Sequence, residues 1–583
     1  MTRSGVPLVL GINAAYHESS AALVRGGEVL CALEEERLSR TKHAKTARID
    51  NPHHLPWGAI DVVLREAGVG PADLDAVAYS LVPGRRLRNV GLDPQDALSE
   101  AQGWGTGEGE ARFEACLRTV PALLEERRSV PRERFHFVPH HLSHAASVFY
   151  CSEFYEAAVL VLDGIGEDSA GWLGVGRGSS LECLQEIPYP HSLGLLWERF
   201  ALYLGFSDHA AAKVMGLAAY GRPDTYADPM AALLAVSEDP ESPRPFTVSS
   251  QLARLRAPDV AGLESLFGPR REAPEPITAP RFAAVASALQ HATDRAVLAT
   301  AQRLVALSSQ KNLCYSGGVA LNCVSNAALE MNGPFERIEI IGAAHDGGTA
   351  VGAALAVALA EDPTLRCTDG TGLRVDLGPA ITESEAVAAL KKARLSFQRV
   401  TDPARAAAEA VAKGLIVGWA QGRLELGPRA LGRRSVLADP RDQAIRARLN
   451  DVVKKREAYR PFGASVLEEE LAAWFGLSGT GACTEGTRSR MLLAYPVRED
   501  RRTAVPAVVH ADGTCRINTV SRERDGPYYD LISHFAELTG VPLLLNTSFN
   551  DREPIVCTAD DAVKTAVSAG MDMVVVDRLV ARL

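Results

Sequence analysis

His140 and His144 stand four residues apart in HHLSHA. Four residues is about one helical turn, so in a helix starting near 140 both imidazoles project from one face and can clasp one cation. Two ligands do not make a site. Asp346, in AHDGG just ahead of an alanine-rich stretch, offers a carboxylate, and two imidazoles with one carboxylate form the facial set that suits iron(II) or manganese(II). The same residues also read as a histidine-rich turn into a helix, with Asp346 as a simple N-cap.

A second group of residues suits anions. LELGPRALGRRS brings Arg429, Arg433 and Arg434 within six positions, in a chain of net charge -10 with 62 Lys+Arg against 72 Asp+Glu. Cations gathered so closely are costly without anions to compensate them. A helix is expected next, with Asp439 as N-cap, Pro440 at N1, Asp442 at N3 and an apolar face of Ile445, Leu449, Val452 and Val453. Lys454, Lys455 and Arg456 fall at its end, where at least one complements the helix dipole. Arg460 in YRPFG, Arg516 in RINTV, and the strand-like PLLLNTSFN with Asn546 and Ser548 complete a set able to hold a triphosphate and a small anion. A strand ending in Asn-Thr-Ser is as often a satisfied turn.

Three polar or glycine-rich turns follow strand-like runs: the one around His17, the turn Asp163-Gly164-Ile165-Gly166-Glu167, and Gly317-Gly318 leading to Asn322. Adjacent glycines let backbone approach a flat or anionic ligand, and an asparagine can fix a ribose or base edge. This is the order used by an actin-like nucleotide cleft.

These residues need elements to position them. Residues 8–13 read as a strand, followed by the His17 turn and a hairpin over 21–33 around Gly26-Gly27. Residues 159–187 repeat that order, and aligning the two places Glu18 on Glu167 and Ser20 on Ser169. A duplicated strand–turn–hairpin is what two ribonuclease-H-like lobes require; the plainer alternative is two unrelated hairpins. The Pro-rich stretch 236–280 is expected as a surface insertion, 283–307 as a helix and 477–486 as a mobile loop. The run 375–380 reads as a junction, giving domains 1–380 and 381–583.

Composition narrows the classes further. With 583 residues, 46% hydrophobic and 23% charged, core material is ample for more than one domain. The acidic balance argues against a nucleic-acid partner, which would need clustered basic residues. Ten cysteines without a CxxC pair read as reduced thiols. No apolar run is long enough to cross a bilayer and no cleavage pattern opens the chain, so a soluble cytoplasmic protein without a membrane partner is expected. Oligomeric state is not legible.

LGINAAYHESSAAL, EEERLSRTKH, HHLSHAAS, LDGIGE, SGGVALN, AHDGG, LGPRALGRRS, KKREAYRPF and LLLNTSFN, in this order over nearly the whole chain, resemble the NodU/CmcH O-carbamoyltransferases. The resemblance implies an N-terminal Kae/TsaD-like ATPase fold of the actin (ASKHA) type and a C-terminal YrdC-like domain, hence an α/β and α+β chain. It implies transfer of a carbamoyl group from carbamoyl phosphate, through carbamoyl-adenylate made from ATP, to a hydroxyl of an antibiotic-type natural product. By the same resemblance His140, His144 and Asp346 match ligands of iron(II), and magnesium accompanies ATP. Arg429, Lys454, Arg516 and Ser548 match the residues that bind carbamoyl phosphate and ATP. His17 matches a histidine beside the transferring group, either as base or merely orienting it, and Lys42 matches a lysine of the same region. One departure is Gly463-Ala464, where the family often has Ala-Pro after RPF.

The nearest rival reading is a tRNA threonylcarbamoyl-adenylate enzyme, which would need a basic face that this charge balance does not suggest. A non-catalytic nucleotide-binding scaffold would tolerate a degenerate anion site, whereas Arg429, Lys454, Arg516 and Ser548 all remain. A simple kinase leaves the histidine pair unexplained.

Overall fold

The computed structural model describes residues 5–92, 103–207, 209–253, 255, 260–365, 373–477 and 481–583. Leu8–Asn13 is buried at every position, as the central strand of a sheet covered on both faces must be, and forms β1. The Gly26-Gly27 turn folds β2 (Ser20–Arg25) and β3 (Glu28–Glu34) antiparallel on one side of it, and β4 (Ala76–Tyr79) and β5 (Phe135–Phe137) run parallel on the other. The order is β3-β2-β1-β4-β5.

The arrangement recurs around β6 (Glu156–Leu162), with β7 (Ser169–Arg177) and β8 (Ser180–Pro188) antiparallel beside it. A short hairpin, β9 (Leu234–Val236) and β10 (Phe246–Val248), intervenes. Then β11 (Asn312–Ser316) and β12 (Arg337–Ile340) add in parallel, giving β8-β7-β6-β11-β12. Strand order and sense match around β1 and β6, so the duplication is a property of the fold and not only of two hairpins. Ser20 and Ser169, paired in the sequence alignment, are the first residues of β2 and β7.

Two helices carry the metal-ligand candidates. His140–Phe149 packs on β6 and β11, Thr349–Glu361 packs on β1, β2 and β4, and the two helices pack on each other. Their approach depends on Gly352, where a Cβ would lie 1.7 Å from the Ser143 carbonyl oxygen. Beside them Arg86 is fully buried, paired at 2.8 and 2.9 Å with both oxygens of buried Glu110 and lying 5.3–5.6 Å from the ring centroids of Tyr16, Trp104 and Phe113. It also donates to Tyr16 Oη at 3.0 Å, and Tyr16 donates to the Gly166 carbonyl at 2.5 Å. The ion pair thus ties the His17 turn to the Gly164–Ser169 turn, and breaking such a buried pair typically costs about 3–5 kcal/mol.

Residues 236–280 are not a bare surface insertion. The hairpin and the helices Ser250–Ala253 and Ala261–Phe267 bury Phe246, Val248, Leu263 and Phe267, and β9 and β10 lie on the long helix Pro280–Ser308. The prolines here punctuate small elements without excluding them. Of the expected loop 477–486, residues 478–480 lie outside the described residues; the rest is anchored by buried Cys483 and by Thr484, whose hydroxyl caps the helix Glu485–Arg488.

The chain divides into one unit of residues 1–35 and 43–373 and a second of 36–42 and 374–583, so the cut falls before 380 and a short early segment belongs with the C-terminal part. The second unit is one nine-stranded sheet, made of β13 (Phe397–Arg399), β14 (Val417–Ala420), β15 (Arg434–Ala438), β16 (Gly463–Leu467), β17 (Leu493–Pro496), β18 (Thr514–Val520), β19 (Leu543–Ser548), β20 (Met573–Val576) and β21 (Leu579–Arg582). Its order is β13-β21-β20-β14-β15-β19-β16-β18-β17. Two packed helix pairs lie on it: Pro403–Ala412 with Arg522–Thr539, and Glu383–Lys392 with Ala559–Ser568.

The cap of the helix before Lys454 differs from expectation. Asp442, not Asp439, accepts from the Ala444 N–H and starts Gln443–Arg448, while Asp439 is taken by Arg441. A five-residue π-helical turn, Leu449–Val453, then delivers Lys454. Among the described residues no helix is long and apolar enough to cross a membrane, and the nine described cysteines are free thiols.

Candidate functional site

In the first unit the ligand candidates come together, with one addition. His140, His144, Asp163 and Asp346 are all buried, and their ligand atoms lie within 4.8 Å of one another. His140 Nε2 is 3.4 Å from both Asp163 Oδ2 and Asp346 Oδ1, and His144 Nε2 is 3.7 and 3.5 Å from the same two atoms. Donors each about 2.1 Å from one ion stand about 3.0–3.4 Å apart, so the set is near the size of a single transition-metal site. His140 Nδ1 is 3.1 Å from the Ser80 carbonyl, which only accepts; a proton is therefore held on Nδ1 and Nε2 is the atom turned to the carboxylates. His144 Nε2 is buried with no hydrogen-bond partner. Burial alone would lower both histidines and raise both carboxylates, but the carboxylates outweigh it. His140 is pushed well above its ordinary value, His144 is raised, and Asp163 is held well below the usual range. The pocket demands positive charge, and its donor chemistry fits iron(II) or manganese(II).

Asp163, expected at the nucleotide, thus faces the two histidines. Its other oxygen accepts from the Gly318 N–H at 2.9 Å. That turn needs glycine at 317, where φ is +94° and a Cβ would lie 2.2 Å from the Leu162 carbonyl oxygen. Asp346 is not an N-cap; His345 takes that place in the short turn Asp346–Gly348. Glu167 is used structurally: Oε1 accepts from the N–H of His140 at 2.9 Å and of Val82 at 3.0 Å, which fixes the start of the ligand helix. Asn322 caps the helix Cys323–Asn332 and bonds Gln290, so its side chain is already engaged. Gly164 lines the Asp163 turn, where its carbonyl accepts from Ser192.

His17 lies at the rim, half-buried, with Nδ1 3.9 Å from Asp346 Oδ2. Burial lowers its pKa despite that carboxylate, so its imidazole is neutral near pH 7. Lys42, placed by resemblance in the same region, is grouped with the second unit, and its charge is felt at Lys454.

In the second unit the candidates gather at one end of the sheet. Arg516, Gly463 and Asn546 are lateral neighbours on β18, β16 and β19, and Ser548 pairs with Ser435 on β15. Buried Lys454 donates to the Ser548 carbonyl, to the Asn550 carbonyl at 2.9 Å and to Asn550 Oδ1 at 2.7 Å, with Ser548 Oγ at 3.3 Å. Burial, then Arg456, Arg460 and Lys42, hold it well below the ordinary lysine value. Arg456 and Arg460 are depressed by burial, with Arg516 adding to it, and Arg516 Nε is buried without a hydrogen-bond partner. Such a cluster is stable when an anion enters it.

The arginine-rich loop splits by role. Glu425 accepts from the backbone of Leu431, Arg433 and Arg434, and Arg434 is fully buried on the carbonyls of Gln421 and Gly422, so Arg434 builds the loop. Arg433 reaches the Arg524 carbonyl. Arg429 is half-buried on this loop, and the next carbonyl, of Ala430, accepts from Asn546 at 3.0 Å.

His510, missed from sequence, borders the cluster. Its Nε2 donates to the Phe462 carbonyl at 3.1 Å, and burial near Arg516 and Arg446 lowers it to about 4. A histidine kept neutral on folding stabilises fully above its unfolded value of about 6.5, and that contribution is lost as pH falls toward 4, at most about 3 kcal/mol. Urea midpoints of the wild type are expected to drop between pH 6.5 and 4 more steeply than those of His510→Gln; parallel curves would remove His510 from the acid response.

Residues 8–355 match the family described as Carbamoyltransferase N-terminus and residues 408–582 the one described as Carbamoyltransferase C-terminus. The chain is 37% identical over 568 residues to nodulation protein NolNO of Sinorhizobium fredii, covering 97% of this chain and 78% of that protein. It is 35% identical over 610 residues to an uncharacterized protein of Synechocystis sp., covering 98% and 96% respectively. Nodulation protein U of Azorhizobium caulinodans is 35% identical over 241 residues, 41% of this chain and 40% of that protein.

Proposed function

The chain belongs to the carbamoyltransferase family and is a carbamoyltransferase, and from that premise we propose that it is an ATP-dependent O-carbamoyltransferase acting on a hydroxyl of a natural product. The observation that carries the ATP-dependent half is the cation cluster in the second unit, where buried Lys454 is joined by half-buried Arg456, Arg460 and Arg516, a set that suits the phosphates of ATP and carbamoyl phosphate.

There carbamoyl phosphate loses phosphate to water, a carboxylate oxygen of the resulting carbamate attacks the α-phosphorus of ATP, and pyrophosphate leaves. Lys454, Arg429, Arg460 and Arg516 neutralise the charge that builds on the leaving phosphates, and Lys42 adds to the same field. Ser548 and Asn546 orient the reacting groups. Magnesium accompanies ATP. By resemblance this unit is YrdC-like and the first is Kae/TsaD-like.

In the first unit the acceptor oxygen attacks the carbamoyl carbon of the adenylate, the carbon–oxygen bond to AMP breaks, and the hydroxyl proton passes to the neutral imidazole of His17. The turns at Gly164 and Gly317-Gly318 bring backbone toward the nucleotide. His140, His144, Asp163 and Asp346 would hold iron(II) or manganese(II), which supplies Lewis-acid stabilisation of charge on the transferring group. Enclosure matters because free carbamate decarboxylates.

Purified protein supplied with ATP, carbamoyl phosphate and a hydroxylated acceptor is expected to yield AMP and pyrophosphate. ADP as the only nucleotide product would overturn the adenylate route. A mass-shift screen of hydroxylated natural products identifies the acceptor.

A further inference from the structure

At the rim of the first unit's pocket three imidazoles crowd together. The ring centroids of His17 and His209 are 4.5 Å apart, those of His43 and His209 4.8 Å, and those of His17 and His43 6.2 Å. His43 is engaged by Glu18, Nδ1 to Oε1 at 2.7 Å. The other two share a carboxylate: His209 Nδ1 is 3.5 Å from Glu198 Oε1, and the ligand atoms of His17, His209 and Glu198 all lie within 4.8 Å of one another. All three residues are half-buried. His17 Nδ1 has no hydrogen-bond partner, and His209 sits at φ +61°, a left-handed conformation that a non-glycine residue adopts only where its surroundings hold it.

A second grouping sharpens the point by contrast. Glu18, Glu34 and His345 also cluster, but His345 Nε2 touches their carboxylates at 2.5 and 2.8 Å. Those are hydrogen-bond contacts, shorter than the roughly 3.0–3.4 Å between two ligands of one ion. Glu18, Glu34 and His345 satisfy one another, whereas His209 Nδ1 and Glu198 Oε1 stand 3.5 Å apart, near the separation of two ligands of one ion, with His17 within 4.8 Å of both.

We propose that His17, His209 and Glu198 form a second, exchangeable site for a divalent transition metal of the zinc class, separate from the buried four-residue pocket, and that filling it occupies the His17 imidazole. Two imidazoles and a carboxylate with an open position are a frequent zinc set. Since His17 is the proton acceptor in the proposed transfer, free metal would act there as an inhibitor; that consequence, unlike the site itself, rests on the function proposed above.

Untagged protein titrated with cobalt(II) should bind two equivalents, one of them with the visible absorption of a low-coordinate imidazole site. His209→Ala and Glu198→Gln should each lose that band and one equivalent while keeping the wild-type melting temperature, and His144→Ala should keep the band. Where transfer is measurable, micromolar zinc should inhibit the wild type at least tenfold more strongly than His209→Ala. A single equivalent in the wild type, or a band that survives both rim substitutions, would overturn the site. Loss of the band without zinc inhibition would leave the site standing and count against the role given to His17.

Discussion

Lys454→Met should slow formation of AMP and pyrophosphate from ATP and carbamoyl phosphate by about 10²–10³-fold, while transfer from preformed carbamoyl-adenylate stays within a few-fold of wild type. The asymmetry follows from where the ammonium lies. Lys454 belongs to the second unit, is buried, and is fixed by the Ser548 and Asn550 carbonyls and the Asn550 side chain. Burial and the charges of Arg456, Arg460 and Lys42 all oppose its protonation. An arriving polyphosphate reverses that balance and makes the ammonium most favourable when negative charge is greatest, as pyrophosphate departs. Removing one such donor from a desolvated site typically costs about 3–4 kcal/mol in the transition state, which corresponds to a factor of about 10²–10³. Methionine keeps the stem volume, and thermal melting checks that the fold survives. Equal loss of both half-reactions would contradict the division of labour between the units.

The same cluster refines what a net charge of -10 means. The cations that matter converge from segments far apart in sequence: the loop after Leu449–Val453, β18 and residues 36–42. Their individual motifs were readable, and the strand bearing Asn546 was readable from its apolar run. Their convergence depends on sheet order, because β16 lies between β18 and β19 and places Arg516, Gly463 and Asn546 in one row. Local pattern does not contain that order. The three-arginine motif misled in part for a related reason: Arg434 points into its own loop and satisfies carbonyls, a role that composition cannot tell from anion binding.

In the first unit, helical spacing was enough to pair His140 with His144, because an i, i+4 relation is local. The duplication was legible because strand, turn and hairpin recur in the same order. Asn322 and Glu167 were read as ligand-facing, yet each is used in backbone capping, a role that the same residue types favour at the same kind of turn. Asp163 went the other way. Its place at the end of β6 suggested the nucleotide, while the fold brings that strand end beneath the His140–Phe149 helix and turns the carboxylate toward both imidazoles.

That difference gives the second large effect. Asp163→Asn should lower bound iron from about one per chain to a small fraction and reduce transfer from preformed carbamoyl-adenylate by about 10³-fold or more, leaving adenylate formation nearly intact. The substitution is nearly isosteric, and the amide oxygen can still accept from the Gly318 N–H, so the turn at Gly317 keeps its shape. What disappears is one of two negative charges facing His140 and His144. With Asp346 alone, the charge facing the ion no longer offsets the cost of its desolvation, and the ion is lost on dialysis. His144→Ala serves as the comparison, since it removes a donor whose Nε2 has no other partner and should lose iron outright. If Asp163→Asn retains iron and transfer while His144→Ala loses both, Asp163 holds the Gly318 turn and the metal set is His140, His144 and Asp346 alone. If both variants lose metal together while melting as the wild type does, the carboxylate at the end of β6 is the fourth ligand.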